Sequence, residues 1–218
     1  MARRTLPALT ALTALVTSAT LLLSACGGGG SDSSDEIEGA GKGSTKPSAS
    51  PSKDDGSPDL SVPKDLNLVF DFSKPSDPKQ AAAVDNAANY IRALKHGIAQ
   101  QDENDPAYKY YSAAQAAQYA KTQIKTWVKG GWVPTGTDRY FKPQATELGE
   151  GKAVLVTFCR NQAKSFSKDI KGGKIHYGKE SLDSYQKFSV LMSPPKSDAK
   201  VWKAQTIEVQ GRVKECRG

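Results

Sequence analysis

SAAQAAQYAKTQIKTWVKGGWVPTGTDRYFKPQAT, residues 112–146, changes its apolar period part-way along. Ala116, Ala120, Ile124, Trp127 and Val128 recur at the 3.6-residue spacing of one helix face. Ser112 with Gln115 three residues on has the pattern of a capping box, and Gly130-Gly131 supplies a stop. Beyond the glycines the period becomes two, which predicts strands over Trp132–Thr137 and Tyr140–Thr146.

Upstream, Ser76-Asp77-Pro78 is a helix start, and Val84, Ala87, Ala88, Ile91, Leu94 and Ile98 make one apolar stripe to about Gln101. The polar run Gln100 to Asp105 breaks it, and Asp105-Pro106 opens a short turn. Downstream, Lys152–Asn161, Ser184–Met192 and Val201–Gln210 alternate as strands, with Gly172-Gly173 at a hairpin tip between the second and third long strands. Two helices followed by a meander of about four strands predict an α+β domain, with the helices packed on one face of a curved antiparallel sheet.

The chain divides by composition. Residues 1–25 combine Arg3 and Arg4 with an uncharged, mostly apolar stretch from Thr5 to Leu23, the pattern of a secretory signal. An uncleaved membrane helix is the competing reading; five threonines, Pro7 and the abrupt Gly27–Gly30 run argue against it. Leu23-Ser24-Ala25-Cys26 resembles the lipobox of bacterial lipoproteins. The resemblance implies a diacylglycerol on the Cys26 thiol, cleavage before it, and residence on the outer face of the cell membrane.

Residues 26–63 hold little but Gly, Ser, Asp, Lys and Pro, too few apolar groups to offset backbone entropy. This predicts a disordered spacer with a reach of about 30–35 Å. Residues 64–218 are long enough for one cored domain. Of the 30 Lys and Arg residues, 22 lie in 80–218 against 13 acids, so the folded part is the basic part.

Cys159 and Cys216 remain after Cys26. In an exported domain such a pair reads as one disulfide; two buried thiols are the alternative. Helices before a meander resemble the NTF2-like (cystatin-like) fold, in which a curved sheet wraps a long helix into a cone. Asn89-Tyr90-Ile91-Arg92-Ala93, Asp105-Pro106-Ala107-Tyr108, Thr135-Gly136-Thr137-Asp138-Arg139-Tyr140 and Cys216-Arg217 are similar to strings in an uncharacterised family of streptomycete-type actinobacterial lipoproteins. That likeness implies an exported domain with one disulfide and brings no activity.

Catalytic signatures are missing. No serine sits in a nucleophile elbow, and the glycine runs lack a phosphate-loop continuation. His96 and His176 have no carboxylate at ligand spacing, and Asp102, Glu103 and Asp105 lack calcium-loop alternation, so no metal or cofactor is implied. An NTF2-like enzyme would place an acid or histidine deep in its cone; Asp138, Asp183 and His96 are the candidates, each more readily read as a surface, turn or helix residue.

Tyr108, Tyr110, Tyr111, Trp127 and Trp132 make an aromatic set suited to a ligand pocket or a protein interface, or to packing of helix on sheet. Tyr110 and Tyr111 are adjacent, so at least one should be partly exposed. Lys121, Lys125 and Lys129 form a stripe on the second helix, and Arg160, Lys164, Lys168, Lys171, Lys174 and Lys179 run toward the hairpin. Two readings stand for these cations: a solvated face, or contact with an anionic envelope polymer or headgroups at ~1 kcal/mol per lysine. Aromatic–basic interleaving of a nucleic-acid module is absent. The expectation is a membrane-anchored, non-catalytic module for a small ligand or envelope protein, with an NTF2-like small-molecule enzyme as the alternative.

Overall fold

A computed structural model describes residues 56–196 and 201–218. The signal-like segment 1–25, Cys26 and the spacer as far as residue 55 lie outside the described residues. Nine elements follow in order: β1 (Leu66–Asp71), α1 (Pro78–Gln100), α2 (Pro106–Tyr111), α3 (Ala114–Gly130), β2 (Trp132–Leu148), β3 (Ala153–Asp169), β4 (Ile175–His176), β5 (Tyr185–Ser193) and β6 (Lys203–Gly211). Three helices and six strands thus stand where two and about four were expected.

Local chemistry sets the helix ends. The Asp77 carboxylate accepts from the Gln80 amide at 2.8 Å, and Pro78 follows at the first turn, where its missing N–H costs nothing. Asp105 caps α2 in the same way, accepting from Ala107 N at 2.7 Å, so the expected turn at Asp105-Pro106 is a helix of six residues. The capping box at Ser112 does not form. Ser112 Oγ donates to Tyr108 O at 2.5 Å, and the Gln115 side chain reaches the Ile207 backbone instead. A pairing across 92 residues has replaced a local one.

The sheet runs β1-β2-β3-β5-β6, with β4 paired to β3 beyond the end of β5. β1 was not expected; it lies parallel to β2, Leu66 opposite Gly136 and Phe70 opposite Tyr140, while every other pairing is antiparallel. The two strands read over 132–146 are one 17-residue strand, bent by register shifts at Thr137/Arg139 and Phe141/Gln144. β3 continues past Asn161 to Asp169, and Gly172-Gly173 returns it into β4, which has only two residues.

One face of the sheet receives α1, whose Val84, Ala87, Ile91, Leu94 and Ile98 are all buried in the main core. Facing them, Phe158 and Phe188 stack at 5.3 Å and Phe70 stacks on Tyr140 at 4.7 Å. Tyr90 Oη donates to Ala116 O at 2.7 Å, tying α1 to α3. Ala116, Ala120 and Ile124 are buried on α3 as expected, but Val128, in the last turn, is exposed. Leu60 is also in the core, and Ser61 O contacts His96, so packing begins a few residues before the boundary placed at residue 64.

Cys159 and Cys216 form a disulfide across 57 positions. With Phe141, Tyr185 and Val213 they make a second small core, separate from the main one. Among the described residues no helix is long and apolar enough to cross a membrane.

Candidate functional site

Alternation along the strands builds the site. Val154, Val156 and Phe158 point inward from β3, so Arg160 does too; on β2 the inward positions include Asp138 and Tyr140. Tyr140 and Arg160 are direct partners in the ladder. Lys95 enters from α1, one turn beyond Ile91 on the buried stripe.

Three ionised groups meet there. The Asp138 carboxylate accepts from Arg160 Nε and Nη2, each at 2.6 Å, and from Lys95 Nζ at 2.6 Å. Tyr140 Oη adds a longer contact at 3.3 Å, and Arg160 Nη1 donates to Gln186 Oε1 at 3.0 Å. Asp138 is fully buried and the side chains of Lys95 and Arg160 are 7% and 13% exposed. Sequence reasoning left Asp138 open between a deep acid and a surface or turn residue, and read Arg160 as part of a basic run at the surface; strand alternation turns both toward the core.

Burial works against the charge on each group, and the neighbours decide the outcome. Burial alone would raise the Asp138 carboxyl, but Arg160 and Lys95 hold it well below the usual carboxylate range. Burial opposes the Arg160 charge, and Asp138 more than restores it. Burial and the nearby Arg160 together lower the Lys95 ammonium to about 8, against the pull of Asp138. Burial also raises the Tyr140 hydroxyl well above its ordinary range, so it stays a neutral donor.

A cavity of about 260 Å³ opens on this cluster, walled by Ile91, Leu94, Ile98 and Phe188 with Tyr119 and Gln123. Trp127, Arg160 and Gln162 are shared with an outer hollow of about 420 Å³ that includes Trp132, Phe166 and His176. Two cations against one carboxylate leave the inner end with an excess positive charge below pH 8. Lys95 has three N–H donors and gives one to Asp138.

The aromatic set divides. Trp127 and Trp132 line the hollows, whereas Tyr108 and Tyr111 are core residues and Tyr110, half-buried, packs edge-on against Tyr111 at 4.9 Å. Lys125 and Lys129 are exposed, and Lys121 is half-buried beside Asn104. Lys168 pairs with Asp65, while Lys171 and Lys174 are exposed around the hairpin tip. Both histidines have carboxylate partners that sequence spacing did not show. His96 lies 3.5 Å from Asp105, and His176 lies 2.7 Å from Asp169. Asp183 is at the surface with Arg212 and takes no part in the site.

Three stretches carried a readable signal for the cluster: Ile91-x-x-x-Lys95 on the α1 stripe, Asp138-x-Tyr140, and Phe158-x-Arg160. Each puts a charged residue at a position whose period faces the core. No protein-family profile matches the chain, and no curated protein matches it in sequence. Among solved structures it is similar to the intermembrane-space region of the chloroplast protein ARC6, at 12% identity and a TM-score of 0.35 over 58% of this chain and 95% of that one. It is also similar to a Shewanella frigidimarina protein provisionally assigned as a ketosteroid isomerase, at 16% identity and a TM-score of 0.34 over 61% and 98%.

Proposed function

We propose that the chain is an extracytoplasmic lipoprotein of the actinobacterial type, anchored through Cys26, whose NTF2-like domain binds a small organic anion without transforming it. The supporting observation is the buried cluster against a cavity of mixed polar and apolar lining, where Lys95 and Arg160 outnumber Asp138. A carboxylate there would meet the spare Lys95 donors in a place of low dielectric, where a charge-assisted hydrogen bond is strong. The aliphatic and aromatic walls suit an apolar body of about ten heavy atoms. Asp138 is unsuited to general-base work, since both of its oxygens already accept charged donors.

The probe is octanoate, titrated by calorimetry against the full chain with 1-octanol as the uncharged control. Octanoate should bind saturably, and Lys95→Met should weaken it at least tenfold while leaving the Asp138–Arg160 pair intact. Affinity should fall as pH rises through about 8, where Lys95 loses its proton. Equal binding of octanol, or an unchanged Lys95→Met affinity, overturns the reading.

One observation favours an NTF2-like small-molecule enzyme: an amine that titrates near 8 inside a cavity is available as a base or nucleophile. Borohydride trapping of an aldehyde on Lys95 would support that second reading.

A further inference from the structure

We propose that the end of the domain formed by the last turn of α3, the start of β2 and the β3–β4 hairpin docks on an anionic lipid bilayer. Among the described residues the large apolar side chains left in solvent are Val128, Trp132, Leu148, Ile170 and Tyr177. Four of the five share this end, at 37%, 39%, 50% and 74% exposure for Val128, Trp132, Ile170 and Tyr177.

Backbone contacts hold them together. Ile170 N donates to Gly131 O at 2.9 Å, and Gly131 N donates to Val128 O at 3.0 Å. Trp132 sits opposite Asp169 in the ladder, and the Tyr177 ring packs on Phe166 at 4.9 Å. The Trp132 ring lies over Gly130, where an added Cβ would come within 2.3 Å of it.

Exposed lysines ring the patch. Lys129 follows Val128, Lys171 follows Ile170, and Lys174 O accepts from Asp169 N at 2.9 Å across the hairpin. The nearby acids are engaged: Asp169 with His176, and Asp65 with Lys168. Tryptophan and tyrosine with an apolar body and a polar edge settle at the headgroup level, and lysines around them are drawn to anionic lipid.

A second copy presenting the same face would bring these lysines against one another, since a two-fold contact is self-complementary in position and like-charged here. A negatively charged bilayer matches both the apolar centre and the basic rim. Trp132 and His176 also line the outer hollow. On the reading that the cavity takes an organic anion, docking would set its mouth at the membrane, so a single-chain anionic lipid fragment could enter from the bilayer.

The test is tryptophan quenching of the full chain on vesicles of brominated-chain lipid, phosphatidylglycerol and phosphatidylcholine at 3:7, with pure phosphatidylcholine as control. The N-terminal apolar stretch is common to every variant, so differences report on the domain. Emission should be quenched on the anionic vesicles, and Trp132→Phe should remove that component. Changing Lys129, Lys171 and Lys174 to Gln should weaken docking about fivefold per residue, and Ile170→Gln should weaken it with the reporter kept. Quenching that persists unchanged in Trp132→Phe or in the lysine variant overturns the proposal. Emission blind to lipid but dependent on protein concentration does so too, by showing self-association. Octanoate binding on the same protein is read separately, so failure of docking and failure of the cavity reading are distinguishable.

Discussion

Replacing Asp138 with Asn keeps the shape of the side chain and removes its charge, leaving Lys95 and Arg160 facing a neutral amide inside the domain. The wild-type carboxylate accepts two guanidinium N–H bonds and one ammonium N–H bond, all at 2.6 Å, and is fully buried. Removing one partner of a buried ion pair costs about 3–5 kcal/mol, and two orphaned cations place this case at the upper end. For a domain of this size that is a fall in Tm of about 6–20 °C. Urea unfolding followed by intrinsic fluorescence should show a lower midpoint with an unchanged slope. A companion variant separates charge from shape: Lys95→Met, Asp138→Asn and Arg160→Met together remove both cations, and should recover most of the loss. A loss below about 1 kcal/mol in the single variant, or no recovery in the triple, would refute the account of Asp138 as the counter-ion of the buried cluster.

Three further outcomes follow from the same structure. Lys95 titrates near 8 when folded and near 10.4 when unfolded, so the unfolded state holds more protons between those values and stability should rise with pH across them. Lys95→Met should lack that rise, which is roughly 1–3 kcal/mol and is measurable as a difference in urea midpoints between pH 7.5 and 10. Replacing Cys159 and Cys216 together with Ser opens a loop of 57 positions and should cost about 4 kcal/mol on the chain-entropy estimate, read as a drop in Tm matched by reduction of the wild type. Gly136→Ala should cost at least about 2 kcal/mol in thermal unfolding: φ is +85° there and the new Cβ would lie 2.2 Å from Lys164 O, a backbone atom that cannot step aside.

The helices were legible because their ends are written in local chemistry. Asp77-Pro78 and Gly130-Gly131 fix caps within a few residues, and the stripe from Val84 to Ile98 needs only a period to be recognised. Strand existence was legible for the same reason, and the disulfide followed from there being two cysteines in the domain. The short strand Leu66–Asp71 was not. Five of its six residues are only partly buried or exposed, and its partner lies 70 positions away in parallel register. Ser112 and Gln115 show the reverse error, a local pattern cancelled by a distant backbone partner.

What the sequence by itself determined is the class of the domain, two of its three helices and the cysteine pair, because periodicity, caps and composition act over a few residues at a time. Lys95, Asp138 and Arg160 each sit at a core-facing position of α1, β2 and β3, but Asp138 fell between two expected strands and Arg160 within a basic run, so the sequence alone did not set them apart as buried charges. Only the tertiary structure decided that they meet. Their Coulomb and hydrogen-bond energies depend on distances between α1, β2 and β3 that no single element contains. The gathering of Val128, Trp132, Ile170 and Tyr177 at one end was decided in the same way, because it depends on where the β3–β4 hairpin returns beside the last turn of α3.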